Sequence, residues 1–117
     1  MSLHVTADHF RRIESFLEAR LNPLVDATAG STHGLADDDT ARALRALRTL
    51  VGREAAAAAL SEDYEQAEAD SRRISETMTD ASWRVLVGVA QQWKDHPDFL
   101  PEFAMDPYQL AASTERP

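Results

Sequence analysis

Asp80-Ala81-Ser82-Trp83-Arg84-Val85-Leu86-Val87-Gly88-Val89-Ala90-Gln91-Gln92-Trp93 is the stretch that decides the fold class. Val85 to Val89 is β-prone in isolation, because β-branched side chains suit a pleated surface. The wider pattern is helical. Trp83, Leu86, Val87, Ala90 and Trp93 share one face of a 3.6-residue period, the strongest apolar stripe in the chain. Asp80 and Arg84 are four apart and are expected to pair. Thr79 and Asp80 read as a cap or kink before this stripe.

Upstream the same period recurs. Thr6 is a natural N-cap, since its hydroxyl can accept a free backbone N–H. Phe10, Ile13, Phe16, Leu17, Leu21 and Leu24 then follow at helical steps. Pro23 is expected to kink or end this first helix, with Leu24 and Val25 able to extend it by one turn. Residues 29–36 form a Gly-containing loop. Asp37-Asp38-Asp39 favours a helix start, with Asp38 placed to pair with Arg42. Leu44, Leu47, Val51, Ala55 and Ala58 make the second apolar face. A helix from about Thr40 to Met78 is conceivable, because neither glycine nor proline occurs between Arg53 and Gly88. Such a rod of ~39 residues would be ~58 Å long and would need another chain to cover it. The phase jump between Ala58 and the four-three row Leu60, Tyr64, Ala67, Ser71, Ile74 and Met78 instead favours a break near Ser61 to Asp63.

Downstream, Pro97 is expected to stop the Trp83 helix. Pro101 and Pro107 exclude a long helix after it. An extended segment would point Phe99, Pro101 and Phe103 at the bundle and Leu100 and Glu102 away from it. Burying the two phenylalanines would contribute roughly 3–6 kcal/mol before ordering entropy. The predicted architecture is therefore all-α. It is a three- or four-helix antiparallel bundle with a Pro- and aromatic-rich extended C-terminal segment. Residues 1–108 are read as one helical domain and 109–117 as a loose tail.

Composition narrows the function classes. The chain has 117 residues, no cysteine and a net charge of −8. One domain is expected. Disulfides, thiolate metal sites and cysteine catalysis are excluded. The acidic balance disfavours nucleic acid and anionic membranes as partners. It points to a soluble protein, with the cytoplasm as the default home. The apolar runs are far shorter than the ~20 residues that span a bilayer. No signal peptide is visible at the N-terminus.

The only cluster of histidine, proline and acids is Trp93-Lys94-Asp95-His96-Pro97-Asp98-Phe99-Leu100-Pro101-Glu102-Phe103. Trp93, His96, Pro97, Asp98, Phe99, Pro101, Glu102 and Phe103 form the candidate interaction surface. Read structurally, His96 and Asp98 cap a turn and the aromatics are core. The segment resembles the C-terminal signature of small actinobacterial proteins of unassigned function. These end in a helix followed by Asp-His-Pro-Asp-Tyr-x-Pro-Glu-Trp. Phe99 and Phe103 stand where that family has Tyr and Trp. Phe16-Leu17-Glu18-Ala19-Arg20-Leu21 is similar to the family's first helix. The resemblance implies a helical fold and a bacterial source, and no activity. Ala90, Trp93 and His96-Pro97-Asp98 also resemble J-domain co-chaperones, in which this tripeptide stimulates the ATPase of a partner chaperone. J-domains carry a basic helix before the motif and a bracing helix after it. This chain has Gln91, Gln92, Lys94 and Asp95 before it, and Pro101 and Pro107 after it.

Other chemistry-bearing patterns are weak. His4, His9, His33 and His96 lack metal-binding spacing, and Asp37 to Asp39 lacks the rest of a calcium loop. No serine sits on a nucleophile elbow and no phosphate loop is present. Glu14 with Glu18, and Glu65 with Glu68, read as solvated helix surface. Arg42, Arg45, Arg48 and Arg53 on the second helix read as partners for nearby acids. No catalytic, cofactor-binding or metal residue is therefore assigned, and no cofactor is expected. The favoured reading is a non-enzymatic helical protein acting through contacts, as a homodimer or with a partner protein. Its expected contact surfaces are the Leu60–Met78 row and the terminal aromatics. The rival is a helical-bundle hydrolase or metal-dependent enzyme, with His9 or His96 meeting several carboxylates in one pocket. A co-chaperone is the third reading.

Overall fold

A computed structural model describes residues 3–29 and 39–115. It contains five α-helices: α1 (Ala7–Ala29), α2 (Asp39–Ala55), α3 (Ala58–Asp63), α4 (Ala69–Ala90) and α5 (Pro107–Glu115). Short 3₁₀ turns lie at Tyr64–Gln66, Gln91–Trp93 and Pro101–Ala104. No strand occurs among the described residues. The all-α bundle expected from the periodicity is the observed fold. Among the described residues, no helix is long and apolar enough to cross a membrane.

α1 contacts α2, α3 and α4, because its apolar stripe faces all three. Phe10, Ile13, Leu17 and Leu21 are fully buried against Val51 of α2 and against Trp83, Leu86 and Ala90 of α4. Trp83 meets Phe10 edge-on, with ring centroids 5.9 Å apart, an arrangement the ring quadrupoles favour.

Thr6 is the N-cap of α1. Its Oγ1 accepts the His9 backbone N–H at 3.3 Å, and His9 Nδ1 accepts the Thr6 backbone N–H at 3.0 Å. This is a reciprocal capping box with histidine in the place usually held by Glu or Gln. An imidazole that accepts through Nδ1 must leave that nitrogen unprotonated. Burial lowers the His9 pKa below its ordinary 6.5; Arg12 assists, while Glu102 and Asp8 oppose. The folded state therefore prefers the neutral ring, and the unfolded chain takes up the proton first as pH falls. Stability from this site should be fully present above about pH 6.5, decline as pH drops below it, and level off once the folded ring also protonates. His9→Gln keeps the cap and removes the titration. Chemical denaturation from pH 8 to 5 should show a shallower loss for that variant; parallel curves would refute the assignment.

Pro23 does not end α1, which runs six residues further. An interior proline costs ~3 kcal/mol or more. Continuing the helix buries Val25 to 3% exposure, contributing ~1.5–3 kcal/mol. Leu24, assigned above to the stripe, is 44% exposed; Val25 takes its place.

The break after α2 is real but displaced. The α-helical hydrogen-bond pattern breaks at Ala56 and Ala57, where bonds tighten to Ala57 N–H donating to Glu54 O and Leu60 N–H donating to Ala57 O. A second interruption at Ala67 and Glu68 separates the Tyr64–Gln66 turn from α4. α3 ends at Asp63, inside the interval expected for the break, with Asp63 preceding the Tyr64–Gln66 turn, but Ser61 does not start a helix. Ser61 Oγ instead donates to Val5 O at 3.0 Å. The Tyr64 hydroxyl donates to the Glu76 carboxylate, and Arg72 donates to the carbonyls of Tyr64 and Glu65 at 3.2 Å each. The Leu60–Met78 row is thus spread over α3, a turn and α4, and is not one helical seam.

α4 passes through Thr79 and Asp80 without a break. Thr79 is fully buried and donates to Glu76 O, and Asp80 pairs with His4 at 3.2 Å. Through Glu115 the expected loose tail is helical, as part of α5. Asp106 Oδ1 accepts the Gln109 N–H, and Gln109 Oε1 accepts the Asp106 N–H, both at 2.8 Å. Pro107 occupies the first helical position, where its missing N–H costs nothing. Leu110 is 1% exposed and anchors α5 in the core. The Asp38–Arg42 pair, His33, and the acids Asp37 and Asp38 lie outside the described residues.

Candidate functional site

The segment between α4 and α5 is a chain of tight turns and not an extended strand. His96 N–H donates to Trp93 O, Phe99 N–H to His96 O, and Phe103 N–H to Leu100 O. Pro97 sits at the second position of the His96–Phe99 turn, and Pro101 opens a 3₁₀ turn. A fixed φ suits proline to both places. One side chain of α4 and one of the 3₁₀ turn after it hold the segment down: Trp83 Nε1 donates to Met105 O at 2.8 Å, and Gln91 Nε2 donates to Phe103 O at 3.1 Å. Because the chain turns, the extended-strand alternation fails. Phe103 is buried and Phe99 half-buried, whereas Pro101 is exposed and Glu102 half-buried.

The turns bring three of the predicted residues onto one side chain of α1. Phe16 meets Phe103 at 5.2 Å, Phe99 at 5.8 Å and His96 at 5.8 Å between ring centroids. Arg20 lies over the Phe16 ring at 5.3 Å, and its Nη1 is 2.8 and 3.0 Å from the two ring nitrogens of His96. His96 Nδ1 also accepts the Asp98 backbone N–H at 3.0 Å, closing the turn. Arg12 grips both Glu102 oxygens, at 3.0 and 3.1 Å. Trp93 is half-buried against the core and does not line this site, and Pro97 points to solvent.

Between α1 and the turns lies a cleft of about 420 Å³. Phe16, Ala19, Leu100 and Phe103 make its apolar wall; Arg11, Arg12, Arg20, Ser15 and Asp98 make its polar rim. Its three cations are unequally matched. Arg11 pairs with Asp8 and Glu62, and Arg12 holds Glu102 with two bonds. Arg20, with a side chain 20% exposed, has as its ion-pair partner Asp98 at 3.9 Å, beyond hydrogen-bond distance. The half-buried guanidinium is therefore short of a carboxylate.

Sequence reasoning found the C-terminal half of this cleft and missed the α1 half. Phe16 reads as core in the sequence, and it is 6% exposed. The signal that was present is Arg12-x-x-x-Phe16-x-x-x-Arg20, an aromatic between two cations on one helical face.

Among the described residues, no three His, Asp or Glu groups converge to hold a metal. His4 bonds Asp80, His9 is spent in the α1 cap, and His96 meets an arginine. Burial, and after it Glu18, raises the pKa of Glu14. It lies on the α1 surface, away from the cleft lining. Glu65 and Glu68 are not a helical pair, since the chain leaves the helix between them. Comparison with protein-family models, curated proteins and solved structures finds no match.

Proposed function

We propose that this chain is a small non-enzymatic helical protein that acts through protein–protein contacts, with the α1 cleft as its docking site. The observation that carries this reading is the under-matched Arg20 guanidinium on an apolar cleft wall. A partner segment with a leucine or aromatic side chain beside a carboxylate fits both features. The apolar group would cover Phe16, Leu100 and Phe103. The carboxylate would complete Arg20 with a charge-assisted bond. Arg11 and Arg20 are nine residues apart, so the groove runs ~14 Å along α1. Four residues of extended chain cover that length.

The test is a titration of ¹⁵N-labelled protein with acetylated tetrapeptides that pair phenylalanine with aspartate. The same peptides with asparagine are the control. Amide shifts should concentrate at Ser15, Phe16, Ala19, Arg20 and Leu100, and should weaken at least about tenfold in affinity without the charge. Ala19→Glu places a carboxylate in the cleft from an exposed helical position and should abolish the shifts. Shifts scattered over the surface, or equal for both peptides, would sink the proposal.

A further inference from the structure

α4 carries a second apolar row that the described chain leaves substantially exposed. Ile74, Met78, Ala81, Val85 and Gly88 follow steps of four, three, four and three, the spacing of a helix-pairing seam. Ile74 is 60% exposed, Met78 51% and Val85 37%. Ala81 and Gly88 are exposed, and a Cβ built on Gly88 would meet nothing within 4 Å. The face that α4 buries is a different one, made by Ser75, Thr79, Trp83, Leu86 and Ala90. The molecule is only 16 Å thick between Cα extremes. Helices pack 8–10 Å apart, so that thickness holds two layers and leaves outer faces bare.

We infer that this row is the seam of a homodimer in which two copies of α4 pair antiparallel. The charges beside the row select that occupant. Asp70 lies seven residues before Thr77 and Arg84 seven after it, so all three lie on one edge of the helix. Both charges are exposed, and neither enters an ion pair among the described residues. In a two-fold interface residue i meets j while j meets i. A two-fold axis near Thr77 therefore sets Arg84 against the partner's Asp70, and Asp70 against the partner's Arg84. The same axis layers Ile74 on the partner's Met78. A parallel pair would instead put equivalent charges on opposite flanks of the seam and leave them unpaired. The small side chain of Ala81 lets the backbones approach within the overlap of the two helices. The seam shares no residue with the α1 cleft, so either surface can fail its test without the other.

Sedimentation equilibrium on the full chain, from micromolar to millimolar concentration, is the deciding experiment. Wild type should dimerise. Met78→Glu should leave a monomer with an unchanged far-UV circular dichroism spectrum, since the site is exposed. Arg84→Asp reverses both pairs and should weaken association about tenfold. The double variant Asp70→Arg, Arg84→Asp should restore it. A wild-type monomer at millimolar concentration would overturn the dimer. Rescue failing in the double variant would overturn the antiparallel register.

Discussion

Trp83→Ala is expected to lower the stability of the folded chain by about 3–5 kcal/mol. Small domains are stable by only about 5–15 kcal/mol, so this loss is a large share of the total. Two effects combine. The fully buried indole leaves a cavity beside Phe10, and the surrounding helices can collapse into it only in part. The Met105 carbonyl also loses its donor. Trp83→Phe separates the two effects. It keeps much of the packing and orphans the same carbonyl, a loss of about 1–3 kcal/mol. Urea denaturation at constant m-value reads both. A Trp83→Ala loss under about 1 kcal/mol would show that the indole is not the keystone of the core.

Phe103→Ala should cost a similar amount, about 3–5 kcal/mol, through a different route. Phe103 is 1% exposed and belongs to the aromatic cluster with Phe16 and Phe99. Its loss removes the floor on which the His96–Phe99 turn rests. Phe103→Leu keeps an apolar filler and should recover more than half of the loss. The two positions are coupled, because Trp83 and Gln91 bond the carbonyls at Met105 and Phe103 on the same short segment. The double variant Trp83→Ala, Phe103→Ala should therefore lose less than the sum of the single losses. Strict additivity would show that the two anchors hold the segment independently.

Much of the fold is readable from spacing. The α1 and α4 stripes predict Phe10, Ile13, Leu17, Leu21, Trp83, Leu86 and Ala90 as core, and all are buried. Thr6 is the expected cap. The Asp106-Pro107-x-Gln109 box that starts α5 was equally available, and proline content hid it behind the expectation of a loose tail. Proline at a first helical position begins a helix as readily as proline elsewhere ends one. The candidate site was half legible. His96, Phe99, Phe103 and Glu102 are neighbours in sequence. Phe16 and Arg20 reach them from 76 or more residues away, across the bundle.

The chain's own periodicity and capping chemistry thus determine that it is helical, where most helices begin, and which faces turn inward. These depend on residues within one or two turns of each other. Tertiary structure decides what local chemistry leaves nearly balanced. α1 continues past Pro23 because burying Val25 offsets the lost hydrogen bond. The break falls in an alanine run with no local preference for it, because Ala57, Tyr64 and Ser61 must each reach partners on other elements. The cleft, likewise, exists only where α1 and the C-terminal turns meet. No local pattern encodes a site whose two walls lie at opposite ends of the sequence, because the packing energy that joins them belongs to the whole bundle.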